Sequence, residues 1–113
     1  MAPITEAQVE KVRALVASIP PGSVATYGDI AAAADLSSAR IVGWIMRTDS
    51  ADLPWHRVLG ASGRPAPHLA ARQLETLRSE GVRITDGRVP LASIRFDFGA
   101  LPTPPVPTTN LGE

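Results

Sequence analysis

Apolar positions along the chain fall into helical stripes separated by short polar turns. Val9, Val12, Val16 and Ile19 recur at steps of three and four, with Leu15 beside them. They follow Thr5-Glu6-Ala7-Gln8, a spacing in which the Thr5 hydroxyl and the Gln8 side chain can satisfy each other's backbone N–H groups. Pro20-Pro21-Gly22 ends this first helix. Thr26 starts a second, with Asp29 in its first turn and Ile30 and the alanines at 31–34 as its short body. Asp35-Leu36-Ser37 reads as a turn. Ser37 or Ser38 then caps a third helix, Ala39 to Thr48, with Ile41, Val42 and Ile45 inward. A short helix, a tight turn and a second helix form a helix-turn-helix pattern.

A loop from Asp49 to Pro54 leads to Trp55-His56-Arg57-Val58-Leu59, and Gly60, Gly63, Pro65 and Pro67 keep the next stretch irregular. The pattern predicts a fourth helix from about His68 to Glu80, with Leu69, Leu74 and Leu77 inward and Gly81 ending it. Val82 to Val89 reads as a β-hairpin turned on Asp86-Gly87. Phe96 and Phe98 alternate, which predicts a last short strand. The expected fold is mainly α with a small β-hairpin, a winged helix-turn-helix domain over residues 1–98. From Gly99 periodicity stops, and Pro102, Pro104, Pro105 and Pro107 predict a disordered, Pro-rich tail over residues 99–113.

Composition narrows the chemistry. With 113 residues there is room for one core. Cysteine is absent, which removes disulfides, thiolate metal sites and cysteine nucleophiles together. His56 and His68 are the only histidines, so no metal cluster and no cofactor are expected. The formal net charge is zero, which excludes a strongly polycationic nucleic-acid binder. The balance is uneven, however: residues 40–88 carry eight arginines against five acidic side chains. Arginine suits bidentate and groove contacts with nucleic acid, although such a segment also fits an ordinary solvated surface. No apolar run approaches the ~20 residues of a membrane span. The N-terminus lacks a basic and an apolar region, so a cytoplasmic protein without membrane partners is expected.

Four blocks are more specific. Ile19-Pro20-Pro21-Gly22-Ser23-Val24-Ala25-Thr26-Tyr27-Gly28-Asp29-Ile30-Ala31 resembles the "IPxGxVxTYGxIA" segment of the O6-alkylguanine-DNA alkyltransferases. Ala39-Arg40-Ile41-Val42-Gly43 resembles their "ARxVG" recognition helix. Pro54-Trp55-His56-Arg57-Val58 resembles their "PCHRV" with tryptophan in the cysteine's place, and Glu80-Gly81-Val82 resembles their "EGV". The order is preserved over roughly residues 5–90. The exchange of Cys for Trp resembles the alkyltransferase-like proteins, a subfamily that binds alkylated guanine without repairing it and hands it to nucleotide excision repair.

The resemblance implies roles for single residues. Tyr27 would pack beside the target nucleotide and crowd its 3′ phosphate. Arg40 would fill the space that the extruded base leaves, and the small Ala39 and Gly43 would let the helix approach the minor groove. Trp55, Val58 and Arg64 would line the lesion pocket, with the carbonyls of Trp55 and Val58 meeting the guanine amine. From the residues alone, Trp55 also reads as a space-filling core residue, Tyr27 as a half-buried tyrosine and Arg40 as a surface charge. His56 and Glu80 survive without a sulfur to activate, and a structural network is the expectation for them. Trp44 is expected to pack against the first helix or the pocket. The implied partners are duplex DNA containing O6-alkylguanine, met by a monomer, and excision-repair proteins; no catalytic residue is expected. Two other functions compete. A sequence-reading winged-helix regulator would want a more basic recognition helix, and a base hydrolase using His56 lacks a convincing acid–base pair.

Overall fold

The computed structural model of the chain describes residues 4–98; the expected tail, 99–113, lies outside the described residues. Helix α1, Glu6–Ala17, begins at the predicted capping box: Gln8 N–H donates to Thr5 Oγ1 at 3.1 Å and Thr5 N–H donates to Gln8 Oε1 at 2.9 Å. Helix α2, Tyr27–Ala33, uses the same device. Asp29 N–H donates to Thr26 Oγ1 at 3.0 Å, and Thr26 N–H donates to Asp29 Oδ2 at 3.1 Å. Helix α3, Ala39–Thr48, is capped by Ser38, whose hydroxyl accepts from Arg40 N–H at 3.0 Å. Between α2 and α3 the chain turns on Asp35 in the left-handed region at φ 59°, which a short polar side chain tolerates. The helix-turn-helix is therefore present over the residues the sequence predicts.

The sheet is not the predicted hairpin. Strand β1, Ala25–Thr26, pairs in parallel with β2, Val58–Leu59, in the register Ala25 with Val58 and Thr26 with Leu59. Neither strand was expected, because two-residue strands leave no period in a sequence. The segment 82–89 closes only one antiparallel bridge, Thr85 with Arg88, around Asp86 at φ 54° and Gly87 at φ 69°. Those two angles make the predicted primed turn, but no ladder extends from it. The predicted last strand is likewise one bridge, Arg95 with Val24, preceded by an unpredicted turn of helix, α5, Leu91–Ile94. Helix α4 runs Ala70–Ser79, after a 3-10 turn at Pro67–Leu69 in place of its first predicted turn. Gly81 follows at φ 93°, the conformation that favours glycine after a helix end.

The short sheet divides the interior. Successive strand residues face opposite ways. Ala25 and Val58 enter a cluster with Val12, Val16, Ile30, Val42 and Ile45, which joins α1, α2 and α3. Val24 and Leu59 enter a second cluster with Leu74, Leu77, Val82 and Val89, which carries α4 and the 82–94 segment. Each fully buried Val, Leu or Ile contributes about 1.5–3 kcal/mol. Two bidentate ion pairs tie loops to this frame: Arg13 to Asp52, with Asp49 beside it, and Arg95 to Asp29 at 2.7 and 2.8 Å. The Arg95 guanidinium, with a further contribution from the Thr26 N–H, holds the Asp29 carboxyl below its ordinary range against the opposing effect of burial.

Candidate nucleic-acid interface

Helix α3 buries Val42, Ile45 and Met46 and half-buries Ile41. The opposite face carries Arg40, Gly43, Trp44 and Arg47, at helical spacings of three and four. Ala39 and Arg40 stand exposed in the first turn. Among the described residues neither the Arg40 nor the Arg47 side chain has a hydrogen-bond or ion-pair partner. The first turn of α3 contains no acidic residue, and a guanidinium there opposes the positive end of the helix. A Cβ built on Gly43 would meet nothing within 4 Å, so no contact inside the protein calls for glycine at that place. Trp44 differs from expectation: it is 46% exposed and packs in neither core cluster. Its position on α3 puts it outside the stripe formed by Ile41, Val42 and Ile45, which fills the available core. Tyr27, at the first position of α2, is half-buried against the first cluster, and burial pushes its phenol up.

Trp55 opens a 3-10 turn, Trp55–Arg57, that Pro54 introduces. Its indole is half-buried against the first cluster, and the Arg72 guanidinium lies over the ring at 5.5 Å from the centroid. The next two residues turn inward to Glu80. Arg57 grips that carboxylate with Nε at 3.0 Å and Nη2 at 2.6 Å, and its Nη1 donates to the Ile19 carbonyl at 2.8 Å. His56 Nε2 lies 2.7 Å from Glu80 Oε2. Hydrogen bonding from Arg57, then from His56, lowers the Glu80 carboxyl to about 2 despite burial. Glu80 is thus ionised and acceptor-only near neutrality, and His56 Nε2 carries the shared proton. The expected pair is in place, with Arg57 as an unexpected third member.

Gln73 is a further residue that the sequence reading missed. It is 3% exposed on α4, and its amide donates to the carbonyls of His56 at 3.0 Å and Val58 at 2.9 Å. This pair of hydrogen bonds fixes α4 against the Trp55–Val58 segment and so sets Arg72, the preceding residue, over Trp55. A glutamine inside an amphipathic helix gives no sequence signal of that role. Val58 itself is buried: its side chain lies in the first core cluster, and its carbonyl accepts from Gln73.

Arg64 is placed elsewhere. Gly63 is bonded to the far segment through Val89 N–H at 3.0 Å, and a Cβ on Gly63 would stand 2.7 Å from the Val89 carbonyl. This close approach carries Arg64 to a concavity of about 410 Å³ that it lines with Arg83, Asp86 and Arg88. A second concavity, about 500 Å³, lies between α2 and residues 95–98. Trp55 lines neither. The structure brings together Trp55, His56, Val58 and Glu80, adds Arg57, Arg72 and Gln73, and sets Arg64 with the 83–90 segment.

The model of the 6-O-methylguanine DNA methyltransferase DNA-binding domain matches residues 7–82 of the chain. The chain is 36% identical over 96 residues to a DNA base-flipping protein of Escherichia coli (strain K12), covering 79% of this chain and 74% of that protein. It is 40% identical over 81 residues to Alkyltransferase-like protein 1 of Schizosaccharomyces pombe, covering 66% and 75% of the two chains. The crystal structure of S. pombe Atl1 in complex with damaged DNA containing O6-carboxymethylguanine is similar with a TM-score of 0.75 at 30% identity, over 82% of this chain and 97% of that one.

Proposed function

Because the chain belongs to the family of the 6-O-methylguanine DNA methyltransferase DNA-binding domain, we propose that it recognises O6-alkylguanine in duplex DNA by extruding the base, and performs no chemistry on it. The observation that carries this reading is the indole of Trp55 at the head of an intact His56–Glu80 pair. Alkyl transfer needs a thiolate, which a neighbouring base activates. The 113 residues contain no cysteine, and an indole does not attack a saturated carbon under mild conditions. What remains is a wall against which a base can stack. The names of the relatives, a base-flipping protein and an alkyltransferase-like protein bound to damaged DNA, support the same reading.

In this reading α3 enters the minor groove, with Ala39 and Gly43 allowing close approach. Tyr27 crowds the 3′ phosphate, and Arg40, which has no partner among the described residues, fills the vacated stack. The base enters beside Trp55, with the carbonyls of Trp55 and Val58 facing its amine. We assign the pocket arginine to Arg72 instead of Arg64, because Arg72 already covers the Trp55 ring. Extrusion costs a few kcal/mol, least for a poorly paired lesion, and stacking returns about 1–3 kcal/mol. The bound, unrepaired lesion then serves nucleotide excision repair as a marker, with the protein acting as a cytoplasmic, nucleoid-associated monomer.

The test uses matched duplexes with and without O6-methylguanine. The protein binds the lesion duplex more tightly, gains no methyl group by intact-mass spectrometry, and leaves the lesion in the DNA. Arg40→Ala loses roughly 1–3 kcal/mol of lesion affinity and most of the brightening of a fluorescent base analogue beside the lesion. A mass gain on the protein, or unchanged binding and fluorescence with Arg40→Ala, would overturn the reading.

A further inference from the structure

Trp44 is the one large hydrophobic side chain exposed among the described residues, at 46%. Among the described residues nothing accounts for it: it joins neither core cluster and pairs with no ring or cation. On the surface it is the centre of a strip: Arg40 lies four residues before it and Arg47 three after, both unpaired, on a helix that holds no carboxylate. An exposed indole on a helix face with two guanidiniums that have no partner among the described residues matches a groove with apolar walls, polar base edges on its floor and anionic rims. The minor groove of duplex DNA has that character, with deoxyribose walls between two rows of phosphates.

The spacing is also suitable. At 1.5 Å rise per residue, Trp44 stands about 6 Å along the helix axis from Arg40. That is close to two base-pair steps of roughly 3.4 Å. The minor groove is only about 6 Å wide in ordinary B-form DNA, and proteins that enter it commonly use an apolar wedge to open it. We infer that Trp44 is such a wedge: it enters the groove with Arg40 and holds it open about two base pairs from the extruded nucleotide. Binding then depends on how readily the flanking sequence widens its groove. This rests on α3 being the groove-binding helix, as proposed above, and adds a flanking-sequence preference set by Trp44.

The experiment compares one lesion in two duplexes. In one, an A-tract, stiff and narrow in its minor groove, begins two base pairs from the lesion; in the other, a flexible TA or CA step stands there. The parent binds the flexible duplex at least fivefold more tightly. Trp44→Ala lowers affinity for the flexible duplex about tenfold and removes the flank preference, while Trp44→Phe keeps most of both. The indole emission that distinguishes the parent from Trp44→Phe shifts or is quenched on saturation with DNA. Circular dichroism melting shows both variants folded, as an exposed position requires. Equal loss on both duplexes, or no loss with unchanged emission, overturns the wedge while Arg40→Ala still reports on α3. If Arg40→Ala and Trp44→Ala both bind as the parent does, the groove reading of α3 fails instead. An emission shift that follows protein concentration without DNA assigns this face to a second copy and overturns the inference.

Discussion

Glu80 concentrates three demands on one side chain. It accepts both hydrogen bonds of the Arg57 fork and one from His56 Nε2 while being only 14% exposed. Its carboxyl falls from the ordinary 4.5 to about 2, chiefly through Arg57. A depressed carboxylate contributes stability that is fully present above its unfolded value and is lost as pH falls toward the folded one. Glu80 therefore stabilises the fold by at most about 3 kcal/mol near neutrality. That contribution disappears between roughly pH 4.5 and 2. Urea unfolding of Glu80→Gln should show a lower midpoint at pH 7 and a flatter acid dependence than the parent. Some slope should persist, because Asp29, beside Arg95, is held below its ordinary value too. An acid dependence in Glu80→Gln as steep as the parent's would place the titrating group elsewhere. The same network explains why His56 remains where no nucleophile stands: it fastens the Trp55 turn to the end of α4.

At the scale of the element, α3 gives up stability of its own at Gly43. Glycine inside a helix costs about 0.5–1 kcal/mol relative to alanine. Gly43 has open space at its Cβ, so the cost is not repaid by packing within the chain. Gly43→Ala should therefore raise thermal stability by that amount while weakening binding to the lesion duplex. A variant that is stabilised and binds as tightly as the parent would show that α3 does not approach DNA closely at Gly43. The other elements act as supports. The two-residue sheet separates the cluster under α1–α3 from the cluster under α4, and Gln73 bonds across to the Trp55–Val58 segment. The turn at Asp86-Gly87 belongs to the second cluster's side, so Arg88→Ala should change lesion affinity little.

For the whole molecule, zero net charge hides a division among the arginines. Arg13, Arg57 and Arg95 are held by carboxylates, and the other arginines all lie between positions 40 and 88. With no general positive field, binding should neutralise few phosphates. The salt dependence should be shallow, with log K falling by about 0.9 per decade of salt for each phosphate contacted, and few such contacts. A slope near that of a strongly cationic repressor would contradict this. In the proposed reading, half-buried Trp55, with no thiol to align, also favours tolerance of adduct size. Bulky O6-alkylguanines should bind within about tenfold of O6-methylguanine, since fit in an apolar pocket is worth ~1–3 kcal/mol. A hundredfold loss for a benzyl adduct would indicate a closed pocket.

Local chemistry was legible in the chain itself. The capping boxes at Thr5 and Thr26, the cap at Ser38, the apolar stripes of α1 and α3 and the turn at Asp86-Gly87 each depend on residues within a few positions of one another. The Pro-Trp-His-Arg block could be read for the same reason, and the missing cysteine from composition alone. Contacts between distant segments could not. The parallel pairing of 25–26 with 58–59 has no local signature, since it is stabilised by the two cores on its faces and not by strand propensity. Arg64 and Arg72 look alike in the sequence. Only the Gly63–Val89 approach and the Gln73 bonds send the first toward residues 83–90 and the second onto Trp55. Trp44, by composition a core residue, faces solvent because the inward side of α3 is already filled by Val42, Ile45 and Met46. Periodicity records which side chains share a helix face; which face is buried, and against what, is decided by packing among segments far apart in the chain.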